Sequence, residues 1–159
     1  MYRSFFPLPL SLLFIFACQN AVPPTDDSEI IAHENTLPVR YSPSDIQKMH
    51  WLAGAWKGAA IRQSFQFHGG DSLEILLLGK DGKTSISSFV WENGRYYYGQ
   101  YRQWVVTWIG EKDVRFDPLR PGLTPMTWTR LSDQKWHFVK HLPGGDDITV
   151  MERVYEMQP

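Results

Sequence analysis

The chain has 159 residues, with 16 Lys and Arg against 17 Asp and Glu and a net charge of −1. That balance, with no basic run, argues against a nucleic-acid groove or a lipid-headgroup patch. The single cysteine excludes an intrachain disulfide and any zinc site built on paired cysteines. Seven Trp, seven Tyr and nine Phe favour a β fold, because aromatic side chains suit half-buried pleated surfaces.

Residues 1–18 read MYRSFFPLPLSLLFIFAC. Arg3 supplies a positive start, residues 5–16 are apolar, and Ala17 precedes Cys18. The apolar run is shorter than the ~20 residues of a membrane span and has the size of a signal-peptide core. Ile15-Phe16-Ala17-Cys18 resembles the lipobox of bacterial lipoproteins. The resemblance implies cleavage before Cys18, a lipid on its sulfur, and a membrane-anchored place in the cell envelope. Gln19, where an Asp resembles an inner-membrane retention signal, points to an outer membrane facing the periplasm if the envelope has two membranes. Residues 18–41 carry Pro23, Pro24 and Pro38 and the acidic Asp26, Asp27, Glu29 and Glu34, without sustained periodicity. They read as a flexible tether between a signal peptide (1–17) and a folded domain (42–159).

The domain opens on a helix signal. Ser42 can cap, Pro43 suits the first helical position, and Asp45 can close a capping box. Ile46, Met49 and Leu52 follow at helical spacing, and Gly54 ends a helix of about two to three turns. From there the period becomes two. Strands are expected over 56–68, 72–79, 84–91, 95–98, 104–109, 112–117, 125–131, 134–141 and 147–157. Asp81-Gly82 and Asn93-Gly94 are hairpin signals, since these residues tolerate positive φ. The expected fold is all-β: one short helix, then an antiparallel meander of about eight to nine strands that packs as a sandwich or closes on itself.

Leu52-Ala53-Gly54-Ala55-Trp56-Lys57-Gly58 resembles the Gly-x-Trp opening of calycins, the lipocalin-like barrels. The longer string is similar to that of nitrobindin-type haem proteins and of uncharacterised bacterial lipocalin-like lipoprotein domains. In that last group a stretch like Val114-Arg115-Phe116-Asp117-Pro118, followed by a strand like 126–130, also recurs. The resemblance implies a closed barrel with Trp56 plugging one end, Gly54 turning the chain, and Gly58 permitting close approach. It also implies that Arg153, from the last strand, covers Trp56. Ala60 stands where the nitrobindin-like string has glycine, and no run matches a nitrobindin haem histidine.

Catalytic signals are missing. The lipobox resemblance implies that Cys18 carries lipid, no Gly-x-Ser-x-Gly elbow occurs, and no glycine loop fits a phosphate. His137 and His141 share a strand face but lie ~13 Å apart on a straight strand, too far to chelate one ion. Asp146 and Asp147 read as a turn rather than a calcium loop. Trp91, Tyr97, Trp104, Trp108, Trp128 and Trp136 all fall on expected strands. This aromatic surplus admits two readings: a filled core, or a ligand cavity lined by large apolar groups, Trp91, Trp108 and Trp128 among them, with Arg62, Tyr97, Arg130 and His137 as polar partners. Which face each takes stays open. The expectation is a non-enzymatic, lipid-anchored domain holding a small apolar or amphipathic ligand, without metal or cofactor. The alternatives are an envelope interaction module with a filled barrel and, more remotely, a haem protein with an axial histidine.

Overall fold

A computed structural model of the chain describes residues 40–155. Cys18, the signal peptide and all but the end of the tether lie outside them. The described residues form a 3-10 helix, Pro43–Leu52, and ten strands. The strands are β1 Gly54–Lys57, β2 Ile61–His68, β3 Ser72–Gly79, β4 Thr84–Glu92, β5 Arg95–Tyr98, β6 Trp104–Ile109, β7 Asp113–Pro118, β8 Met126–Ser132, β9 Lys135–Leu142 and β10 Gly145–Val154. Each strand pairs antiparallel with the next, and β1 pairs with β10, so the sheet closes into a barrel. Closure leaves no unpaired sheet edge to recruit another chain.

The expected count of about eight to nine strands is thus corrected to ten. The single strand expected over 56–68 is two, because the Gly58 N–H donates to the Ile61 carbonyl at 2.8 Å and folds the chain back. The last strand begins at Gly145 rather than 147, after a Pro143-Gly144 turn that brings Gly145 opposite Leu142. Asn93 and Gly94 both take positive φ, 51° and 86°, as a twist-matched two-residue hairpin requires. At Asp81-Gly82 only the glycine does so, while Asp81 Oδ1 accepts the Lys83 N–H at 3.1 Å.

The helix is of the tighter kind. In a 3-10 helix residues three apart eclipse one another, so Ile46, Met49 and Leu52 form one straight stripe. All three are fully buried on the barrel end at which β1 starts. At its start Asp45 Oδ2 accepts from the Ser42 N–H at 2.8 Å and from the Ser42 hydroxyl at 3.1 Å. Tyr96, buried beneath, ties the helix down: its hydroxyl accepts from the Ile46 N–H at 3.2 Å and donates towards the Ser42 and Pro43 carbonyls.

Inward-facing side chains alternate along the strands, interrupted by bulges in β6 and β8, and meet as an aromatic core. Trp56, Phe65, Phe89, Tyr96, Phe116, Trp128 and Trp136 are buried there. Their rings meet mostly edge to face, as at Trp56–Trp136 (6.3 Å, 87°) and Phe65–Trp128 (5.8 Å, 83°). That arrangement sets the positive ring edge on the negative ring face. A small second cluster, Tyr97, Val105 and Leu119, lies on the outer surface. The loops after β5 and β7 reach this region, with Arg102 over the Tyr97 ring at 5.1 Å and Leu119 N–H on the Gln103 carbonyl.

Candidate ligand cleft at the barrel end opposite the helix

Two ends of unlike character result. At the helix end, Trp56 is fully buried and its Nε1 donates to the Leu52 carbonyl at 2.7 Å. Arg153 is its register partner on β10, and the guanidinium lies 4.2 Å from the indole centroid. The same guanidinium donates to the carbonyls of Ala53 (2.9 Å), Trp51 (3.1 Å) and Asp133 (2.8 Å). One planar fork therefore joins the helix C-terminus, the turn before β9 and the indole. Gly54 has φ 104°, and a Cβ there would sit 3.0 Å from Arg153 Nη1. At Gly58 a Cβ would meet Met151 Sδ at 2.7 Å and Thr149 Cγ2 at 3.0 Å, so the close approach is to side chains of β10.

At the other end, a cleft of about 430 Å³ lies between the β1–β2 turn and the β3–β4 turn. Gly58, Ala59, Ala60, Ile61, Leu78, Gly79 and Gly82 give it an apolar lining, with Lys57, Arg62 and Lys80 around them. Register places Lys57, Arg62 and Leu78 on the outer face of the barrel and Ile61 and Gly79 on the inner face, so the cleft straddles the rim. Deeper along the inner face of β2, Gln63 is buried and its Oε1 has no protein hydrogen-bond partner.

The structure does not bring the seven sequence-picked ligand residues together. Arg62 lines the cleft. Trp128 lies in the aromatic core, and Trp91 faces inward at the helix end with its Nε1 on the Tyr41 carbonyl at 3.0 Å. Arg130 is also on the inner face at the helix end and pairs with Asp133. Tyr97 faces outward into the second cluster. His137 faces outward between Thr129 and Val150. Trp108 faces outward, is 55% exposed, and donates to Asp113 Oδ1 at 3.1 Å. A β-bulge between Val106 and Trp108 shifts the alternation by one, which simple parity from Trp104 cannot register. Lys57 and Lys80 were missed because nothing local to either residue says that their two turns are neighbours.

His141 also takes the outer face. One ring nitrogen lies 2.8 Å from Thr127 Oγ1 and the other 3.0 Å from Asp146 Oδ1, a hydrogen-bonded chain across β8, β9 and β10. With His137 and His141 both outside, neither can ligate a haem iron within the barrel, and the axial-histidine expectation for them is corrected. Among the described residues no group of three or more His, Cys, Asp or Glu is placed to hold a metal ion. No helix among them is long and apolar enough to cross a membrane.

Fold and cleft together define a small closed antiparallel β-barrel, stoppered by a helix at one end and grooved at the other. Compared with protein-family models, curated proteins and solved structures, the chain matches none of them.

Proposed function

We propose that the chain is a calycin-like envelope lipoprotein, anchored through Cys18, that binds a small amphipathic ligand in the rim cleft. The calycin reading is supported by Arg153 covering Trp56 beneath an N-terminal helix. The ligand reading rests on one observation: an apolar depression of about 430 Å³ bordered by a few charged groups. That size falls within the ~300–1,000 Å³ of small-ligand sites, and the composition is what such sites use to hold and orient a molecule. Native mass spectrometry of the chain purified from its own host tests it. A co-purifying small-molecule mass is expected with the native sequence and not with Ala60→Trp, whose indole would occupy the cleft. The same mass on both proteins would remove the cleft from consideration.

A second reading, an interaction module, has its own observation. Val139 and Ile148 are register partners on the outer wall, with Val150 two residues further along β10. Ile148 is 55% and Val150 43% exposed. An apolar strip of this kind on an outer wall is where a partner surface would form. Ile148→Asp is expected to abolish co-purification of such a partner and to leave the small-molecule mass in place.

A further inference from the structure

The lining of the cleft is one-signed. Three of its ten residues are cationic (Lys57, Arg62 and Lys80) and none is acidic, in a chain whose net charge is −1. The cluster is therefore a local feature and not the overflow of a basic protein. Of the carboxylates nearest in sequence and register, Asp81 and Glu152 each form an ion pair with a lysine outside the cleft. Asp81 accepts the Lys83 N–H at 3.1 Å and pairs with Lys83 Nζ at 3.3 Å. Glu152, the register partner of Lys57, pairs with Lys135 at 2.7 Å, which together with Lys57 holds its carboxyl below the usual range.

We infer that the cleft selects a single-tailed amphipath with an anionic head, set by Lys57 and Lys80 beside the apolar strip Ala59-Ala60-Ile61 and Leu78. The inference rests on the ligand reading above and adds to it the sign of the head group. An apolar tail lies on the strip and is held by surface removed from water. The head lies at the rim, where neighbouring apolar walls weaken solvent screening and cations placed in advance favour negative charge. Lys57 and Lys80 are exposed, so each ammonium keeps its hydration until a head group arrives. A carboxylate and a phosphate or sulfate monoester satisfy this chemistry alike. A neutral or cationic head does not.

The test is photolabelling of the full chain in lipid nanodiscs by diazirine-bearing decanoate, decyl phosphate, decanol and decyltrimethylammonium. The labelled peptides are read by mass spectrometry. Label from decanoate or decyl phosphate is expected on residues 57–62 and 78–82, at least tenfold above decanol and decyltrimethylammonium. Whichever of the two labels more strongly identifies the head as a carboxylate or a phosphate. Raising the ionic strength should shrink the preference, since exposed charges are screened. Lys57→Gln combined with Lys80→Gln should bring decanoate labelling down to the level of decanol. Equal labelling of the cleft by all four probes would overturn the inference while the ligand reading stood. Labelling by none of them would overturn the ligand reading itself.

Discussion

At the scale of single residues, the plug shows how much one side chain can hold. Arg153 donates to three backbone carbonyls and covers an indole. Hydrogen bonds from a charged donor contribute ~1.5–3 kcal/mol each in favourable cases, and a cation–π contact ~0.5–2 kcal/mol. Since these contributions overlap, Arg153→Ala is expected to cost about 3 kcal/mol in urea unfolding. Arg153→Lys should recover little of it, because one ammonium cannot span three carbonyls. A loss under about 0.5 kcal/mol, the size of an ordinary surface change, would contradict this account of the plug. The opposite sign is expected at Tyr101, which has φ 60° and is 79% exposed. A left-handed backbone is unfavourable for a bulky residue and accessible to glycine, so Tyr101→Gly should stabilise by a few tenths to about 1 kcal/mol. A lowered unfolding midpoint would show that its exposed ring contributes more than the strain costs. Gly54 and Trp56 were legible in the sequence because a short motif carries both the turn and the ring. Trp108 was not, because the bulge that turns it outward leaves no mark in the alternation.

At the scale of elements, the helix depends on Tyr96. Its hydroxyl meets the backbone of Ser42, Pro43 and Ile46, and burial raises its pKa to about 12 from an ordinary 10. Tyr41 is raised to about 12 as well, again chiefly by burial. A phenol whose folded pKa exceeds its unfolded value contributes stability that is complete below pH 10 and lost as the pH climbs towards 12. Unfolding midpoints are therefore expected to fall across that alkaline window. In Tyr96→Phe the fall should be shallower, with a cost at neutral pH of about 1–2 kcal/mol for the unpaired helix groups. An equally steep alkaline fall in the variant would mean that Tyr96 does not drive it. The type of helix was half legible. Ile46, Met49 and Leu52 recur every three residues, the period of the 3-10 form, and such short runs fit either helix until the packing of the stripe is known. The hairpins were better marked, because Asn-Gly chemistry is local, whereas the break at residues 58–60 is a turn closed by the Gly58 N–H on the Ile61 carbonyl with no Asn-Gly or Asp-Gly pair to mark it.

At the scale of the whole molecule, the barrel divides its work along its axis. Large rings fill the middle and the helix end, where Trp56, Trp128 and Trp136 are buried, and the cleft at the other end is lined by glycine, alanine and aliphatic side chains with Lys57, Arg62 and Lys80 around them. Closure was foreshadowed by the aromatic surplus and the short links, but register was not, and register decides which side chains share an end. The division predicts that stability and binding separate on mutation. Trp128→Ala removes a ring packed against Phe65, Tyr98, Phe116 and Trp136. It is expected to cost ~3–5 kcal/mol, the range for truncating a buried aromatic. The fraction that remains folded should still bind, with a Kd within about twofold of the native value, since sites without shared partners act independently. Ala60→Trp, on an exposed turn, should do the reverse, changing the unfolding free energy by no more than ~0.5 kcal/mol while ligand titration shows no saturation. Fluorescence titration and urea unfolding on both variants resolve the matter. If Trp128→Ala abolishes binding in protein that is still folded, the ligand reaches the aromatic interior, and the rim is its entrance rather than its seat.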